Sequence, residues 1–97
     1  MRLEFSHAAQ ADLVEIAMFI ARDNPPRALT FVDELEASCA KLLDYPLSGV
    51  ARPEIRDGLR SRPHGSYIIF YTVAQSVVRI ERLLHAACDI RSDIRQD

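Results

Sequence analysis

Polar and apolar residues alternate from Arg2 to Ser6, with Leu3 and Phe5 on one side, which predicts a short first strand. From about Ala8 to Arg22 the period becomes helical, and Leu13, Ile16, Ala17 and Ile20 recur at the spacing of a core-facing stripe. Val14, Met18 and Ala21 widen that stripe beyond an ordinary packing face, and Phe19 projects among Asp12, Glu15 and Arg22. So broad an apolar surface suits either a crowded core or a partner; on the second reading Val14, Met18 and Phe19 are partner-binding residues. Asp23-Asn24-Pro25-Pro26 then ends one helix and starts another, with Asn24 as N-cap and proline in the first turn. The second helix is predicted from Pro25 or Pro26 to about Asp44, with Ala28, Phe31, Val32, Leu35, Cys39, Leu42 and Leu43 on one face. So short a joint makes the two helices an antiparallel hairpin.

Tyr45-Pro46-Leu47-Ser48-Gly49 closes this helix, and no sustained period follows up to Asp57, which reads as a surface loop holding Arg52, Glu54 and Arg56. Gly58 to Val73 reads as a β-hairpin: Arg60 and Arg62 lie in its first arm, Pro63-His64-Gly65 makes the turn, and Tyr67 to Val73 is apolar on both faces. A last strand is predicted from about Val77 to Leu84, with Val78 and Ile80 facing away from Arg79 and Glu81, and the tail from Ala86 to Arg95 as a helical turn packed by Ile90 and Ile94. Residues 1–97 thus form a single α+β domain of order β-α-α-β-β-β, with the last three strands an antiparallel meander. The helical hairpin covers one face of the sheet. The other face is expected to be uncovered and to carry part of the arginine set.

Charge modifies this picture. The net charge of −2 argues against a protein that grips nucleic acid through phosphate neutralisation, and no sequence-specific DNA binding is expected of this chain alone. Residues 1–48 nevertheless carry −4 and the remainder +2, and every cation of that second part is an arginine, suited to planar contacts with carboxylate or phosphate. Neither a signal peptide nor a membrane span is visible, so a cytoplasmic protein is expected, with Cys39 and Cys88 reduced and Cys39 buried in the stripe of the second helix.

Few groups could carry chemistry. His85-Ala86-Ala87-Cys88-Asp89 supplies too few ligands to hold zinc, and Cys88 with His85 lacks an orienting third group, so neither a metal nor a covalent mechanism is expected. With three glycines and no phosphate-binding loop, no nucleotide cofactor is expected either. What remains is Arg60, Arg62, Arg82 and His85, at the ends of neighbouring strands. They could bind a scissile phosphate and shuttle a proton, as in a metal-free ribonuclease, or they could dock an acidic partner. Arg82 could instead only pair with Asp89 or the C-terminal carboxylate.

Several segments, in this order and spacing, resemble the ParE/RelE superfamily of bacterial type II toxins, and its ParE branch in particular. They are Ala11 to Ile16, Asn24-Pro25 with Ala28 and Phe31-Val32, Tyr45 to Gly49, Gly58 to Ser61 with Tyr67 to Tyr71, and Ile80 to His85 with Asp89-Ile90. The resemblance implies a RelE/ParE-like fold wrapped by a ParD-like antitoxin, and growth arrest when the toxin is free. RelE-like members cleave mRNA in the ribosome and carry an arginine at the head of the central strand, where this chain has Ile68. ParE-like members are taken to poison DNA gyrase by binding it. The resemblance thus implies a gyrase inhibitor that is not an enzyme, with Val14, Met18, Phe19, Arg60, Arg62, Arg82 and His85 meeting its partners. The alternatives are a ribosome-dependent endoribonuclease using Arg60, Arg62, Arg82 and His85, and a degenerate homologue acting with its antitoxin as co-repressor.

Overall fold

β1 (Arg2–Phe5) leads directly into α1 (His7–Ala21) through Ser6, which explains how a strand and a helix can meet without a loop. The Ser6 hydroxyl accepts the Ala9 amide at 2.9 Å as N-cap and donates to the Glu81 carbonyl at 2.7 Å, tying the helix start to the sheet. A computed structural model of the protein describes residues 1–88 together with Ile90 and Ile94. Asn24 caps α2 (Pro25–Lys41) as its sequence predicts, accepting the Arg27 amide at 3.2 Å. The helix ends earlier than the apolar period suggests, because the amides of Leu42, Leu43 and Asp44 bond to carbonyls three residues back and tighten the chain. Leu42 still reaches the core.

The sheet contains five strands in the order β1-β5-β4-β3-β2. β3 (Arg60–His64), β4 (Tyr67–Ala74) and β5 (Val77–His85) form the expected antiparallel meander, with β4 at its centre. Gly65 and the pair Gln75-Ser76 take positive φ at the two tight turns, the conformation that two-residue hairpin loops require. β1 lies parallel beside β5, from Arg2 opposite Val77 to Phe5 opposite Ile80. β2 (Val50–Ala51) falls inside the predicted loop and pairs with β3; a strand of two residues is too short to show a period.

Both helices pack on one face of the sheet, around Ile16, Leu35, Cys39, Ile69, Tyr71 and Ile80. The opposite face differs from expectation. Leu59, Phe70, Leu84 and Ile94 form a second small core there, with Ile55, Ile68 and Ile90 packed against it. The unpatterned 52–59 loop and the two described residues of the tail therefore cover part of that face. Apolar residues spaced irregularly through a loop leave no periodic signal, so this cover is invisible to pattern reading. Arg60 and Arg62 do not lie on that face either: they sit opposite Tyr71 and Ile69, on the helix side.

Cys39 is fully buried and Cys88 exposed, and neither forms a disulfide. Burial, with a smaller contribution from Glu36, pushes the Cys39 thiol up to about 12. At pH 8 a disulfide reagent is expected to label Cys88 alone in the native chain and Cys39 only on unfolding; rapid native labelling of Cys39 would contradict the packing.

Candidate functional site

Arg60, Arg62 and His64 share one side of β3 by the period of a strand, but the two arginines are used differently. The Arg60 guanidinium turns toward the segment before β2, where Nη1 donates to the Leu47 carbonyl at 3.2 Å and the Gly49 carbonyl at 2.9 Å. Beside it the buried Tyr71 hydroxyl donates to the Pro46 carbonyl and accepts the Gly49 amide, both at 2.8 Å. A Cβ on Gly49 would strike that hydroxyl, so glycine is needed here for close approach. Arg62, half-buried one residue past the pair Val50–Ser61, makes no hydrogen bond or ion pair among the described residues. Arg60 has no carboxylate partner among them, since its partners are carbonyls.

Arg82 has a different role. β1 stops opposite Ile80, so the outer edge of β5 beyond that point lacks a strand neighbour, and α1 takes its place. Asp12 on α1 accepts the Leu83 amide at 2.9 Å and holds the Arg82 guanidinium in a fork, Nε to Oδ2 at 2.8 Å and Nη2 to Oδ1 at 3.0 Å. A register shift next to Phe70 leaves Glu81 with no residue directly opposite it on β4 and sets Arg82 opposite Phe70. Arg82 is thus paired, with Asp12; Asp89 and the C-terminal carboxylate lie outside the described residues. His85 ends β5 exposed, edge-on to Tyr67 at 5.3 Å between ring centres, and its Nδ1 accepts the Ala87 amide at 3.1 Å.

The four groups expected to share a site therefore do not converge. β4 separates Arg60 and Arg62 from Arg82, and each of Arg60 and Arg82 is held by partners at its own side of the sheet. Strands lie ~4.8 Å apart, so β3 and β5 are roughly 10 Å distant before side chains are considered. No group of three or more potential metal ligands occurs among the described residues.

Val14, Met18 and Phe19 all remain exposed on α1. Phe19 reaches the mouth of a shallow groove of about 170 Å³ whose other walls include Ile16, Tyr67, Leu84 and His85, so the fold brings two of the expected partner-binding residues, Phe19 and His85, together. A second exposed apolar group escaped sequence reasoning. Tyr45 and Leu47 are 74% and 66% exposed, beside exposed Val50, on the segment that Arg60 and Tyr71 hold. In the sequence they show apolar character without period around Pro46 and Gly49, and Tyr45 to Gly49 stands out through the family resemblance rather than as an exposed surface.

The sequence profile of the family described as ParE toxin of type II toxin-antitoxin system, parDE, matches residues 3–90. The chain belongs to the ParE toxin family. It is 30% identical over 92 residues to Toxin ParE1 of Caulobacter vibrioides, covering 92% of this chain and 93% of that protein. Its fold matches a chain of the chromosomal ParDE TA system from P. aeruginosa with a TM-score of 0.78, at 23% identity, covering 88% of this chain and 95% of that one. In this ParE chain Ile68, at the head of the central strand, is packed against the second core and offers neither charge nor proton.

Proposed function

We propose that this ParE-family toxin arrests growth by binding DNA gyrase, with no chemistry of its own, and that a cognate ParD-like antitoxin neutralises it in the cytoplasm. The observation that carries this reading is the dispersal of the basic and histidine groups. A ribonuclease needs charge stabilisation and proton transfer around one phosphate, whereas Arg60 is spent on loop carbonyls, Arg82 on Asp12, and Ile68 on apolar packing. Arg62 and His85 remain for docking.

An antitoxin would use the α1 surface. Val14, Met18 and Phe19 with the groove toward His85 suit the apolar face of an amphipathic segment, and the likeness to a ParDE chain supports an antitoxin partner. No helix among the described residues is long and apolar enough to cross a membrane, which fits a cytoplasmic site of action.

Purified toxin is expected to inhibit gyrase-catalysed supercoiling at stoichiometric amounts, and to leave mRNA intact on translating ribosomes. Unchanged supercoiling together with ribosome-dependent cuts would replace this reading with the endoribonuclease. Harmless expression of the free chain would favour the co-repressor.

A further inference from the structure

The segment Tyr45–Val50 combines two properties that rarely coincide in a loop: its backbone is fastened and its apolar side chains face solvent. Tyr71 holds Pro46 O and Gly49 N, Arg60 holds Leu47 O and Gly49 O, and the Ser48 amide bonds to Tyr45 O at 3.0 Å. Tyr45 and Leu47 nevertheless stay more than half exposed, with exposed Val50 following them on an edge strand. A loop that merely connects elements gains nothing by exposing such groups, whereas a docking surface gains from having been ordered before the partner arrives.

We propose that this edge of the sheet is the surface that engages the toxicity target, a folded protein with an apolar cleft rimmed by carboxylates. The inference rests on the reading of the chain as a toxin that acts by binding. Charge supplies the second half of the argument. Arg27, Arg52, Arg56, Arg79 and Arg82 each have a carboxylate within 4 Å, whereas Arg2, Arg22, Arg60 and Arg62 have none among the described residues. Of these four only Arg60 and Arg62 are neighbours on one strand, on the side of β3 over which the loop lies. Arg60 keeps its positive charge while bonded to neutral carbonyls, so it and Arg62 form two adjacent charges with no carboxylate partner among the described residues. Beside an apolar patch they are complementary to an acidic rim. Tyr45 and Leu47 give the centre of such an interface its anchors, a chemistry suited to a protein cleft rather than to a phosphate backbone. The position also separates this surface from the α1 groove. α1 packs over β5 and β1, and the loop hangs from β3 and β2 at the other edge.

The test compares wild type, Tyr45→Ser/Leu47→Ser, Arg62→Glu and the control Leu29→Ser, which removes an equally exposed apolar side chain on α2. Because these residues contribute little to the core, each variant should melt within about 3 °C of wild type. Half-inhibition of gyrase supercoiling is expected to need about tenfold more of the loop variant and of Arg62→Glu, with Leu29→Ser unchanged. Growth arrest on induction should follow the same order. If wild type inhibits and the loop variant inhibits equally, the inference fails while the gyrase reading stands; loss of rescue by the co-expressed antitoxin in that variant would assign the loop to the antitoxin instead. If wild type leaves gyrase untouched, the gyrase reading fails, and the inference then stands or falls on whether the loop variant alone loses growth arrest. Ribosome-dependent RNA cleavage that Arg62→Glu abolishes and Tyr45→Ser/Leu47→Ser retains would make this edge a nucleic-acid surface and overturn the proposal.

Discussion

Replacing Asp12 with alanine is expected to destabilise the fold by about 3–5 kcal/mol, the usual cost of breaking a buried ion pair from one side. Asp12 is 4% exposed and serves three donors, two on Arg82 and the Leu83 amide. Its removal takes this carboxylate from a guanidinium whose side chain is only 15% exposed, and leaves a backbone amide in the core without its acceptor. An unsatisfied amide alone costs about 1–3 kcal/mol, so the two losses share one total rather than adding. Arg82→Met is expected to cost a comparable amount, because it leaves the buried Asp12 carboxylate without its counter-charge even though Asp12 keeps the Leu83 amide and the methionine stem retains much of the packing. Urea denaturation measures both. A cost below about 1 kcal/mol for Asp12→Ala would mean that α1 does not act as the missing neighbour of β5.

Gly49→Ala should cost about 2–3 kcal/mol, although its backbone has no positive φ to demand glycine. The added Cβ would sit 2.7 Å from Tyr71 Cε1 and 2.9 Å from the Ser61 carbonyl, as well as striking the Tyr71 hydroxyl. Tyr71 is fully buried and Ser61 offers backbone, so neither neighbour can give way. The loop must lift instead, breaking its bonds to Tyr71 and Arg60. Tyr71→Phe should cost about 1–2 kcal/mol by itself, for a half-buried amide and carbonyl that lose their partner. The two changes should be less than additive, since a loop already lifted has fewer of those bonds to lose and phenylalanine removes one of the clashing atoms. Strict additivity in a double-mutant cycle would show that Gly49 and Tyr71 are not packed as described.

Reading the sequence recovers the elements well and the site poorly, for identifiable reasons. Asn24, Pro25 and the stripe through Leu35 and Cys39 announce α2 because helix caps and faces depend on residues three and four apart. Val14, Met18 and Phe19 widen the apolar stripe of α1 in a way that suits either a crowded core or a partner, and only the fold, which leaves all three exposed, rules out the core. Asp12 reads as part of the polar side of the same helix, yet it is buried; its carboxylate is drawn in by an arginine and an amide that no local pattern connects to it. Arg60 and Arg62 look like an equivalent pair by alternation, and only the loop folded onto β3 distinguishes them.

The sequence by itself determined the strand–helix–helix–strand order, the helical hairpin, the central position of β4 and the buried Cys39. Each follows from periodicity, capping or turn chemistry acting over a few residues. The tertiary structure alone decided which charges are neutralised and which loop is rigid. Asp12 and Arg82 are 70 residues apart, Tyr71 and Gly49 are 22 apart, and Arg60 and Leu47 are 13 apart. Contacts across such separations depend on strand order, register and the shift beside Phe70, which no short window of sequence encodes. The same guanidinium chemistry therefore serves as ion-pair partner at Arg82, as loop clamp at Arg60 and, among the described residues, as a charge without an ion pair at Arg62, according to what the fold sets beside it.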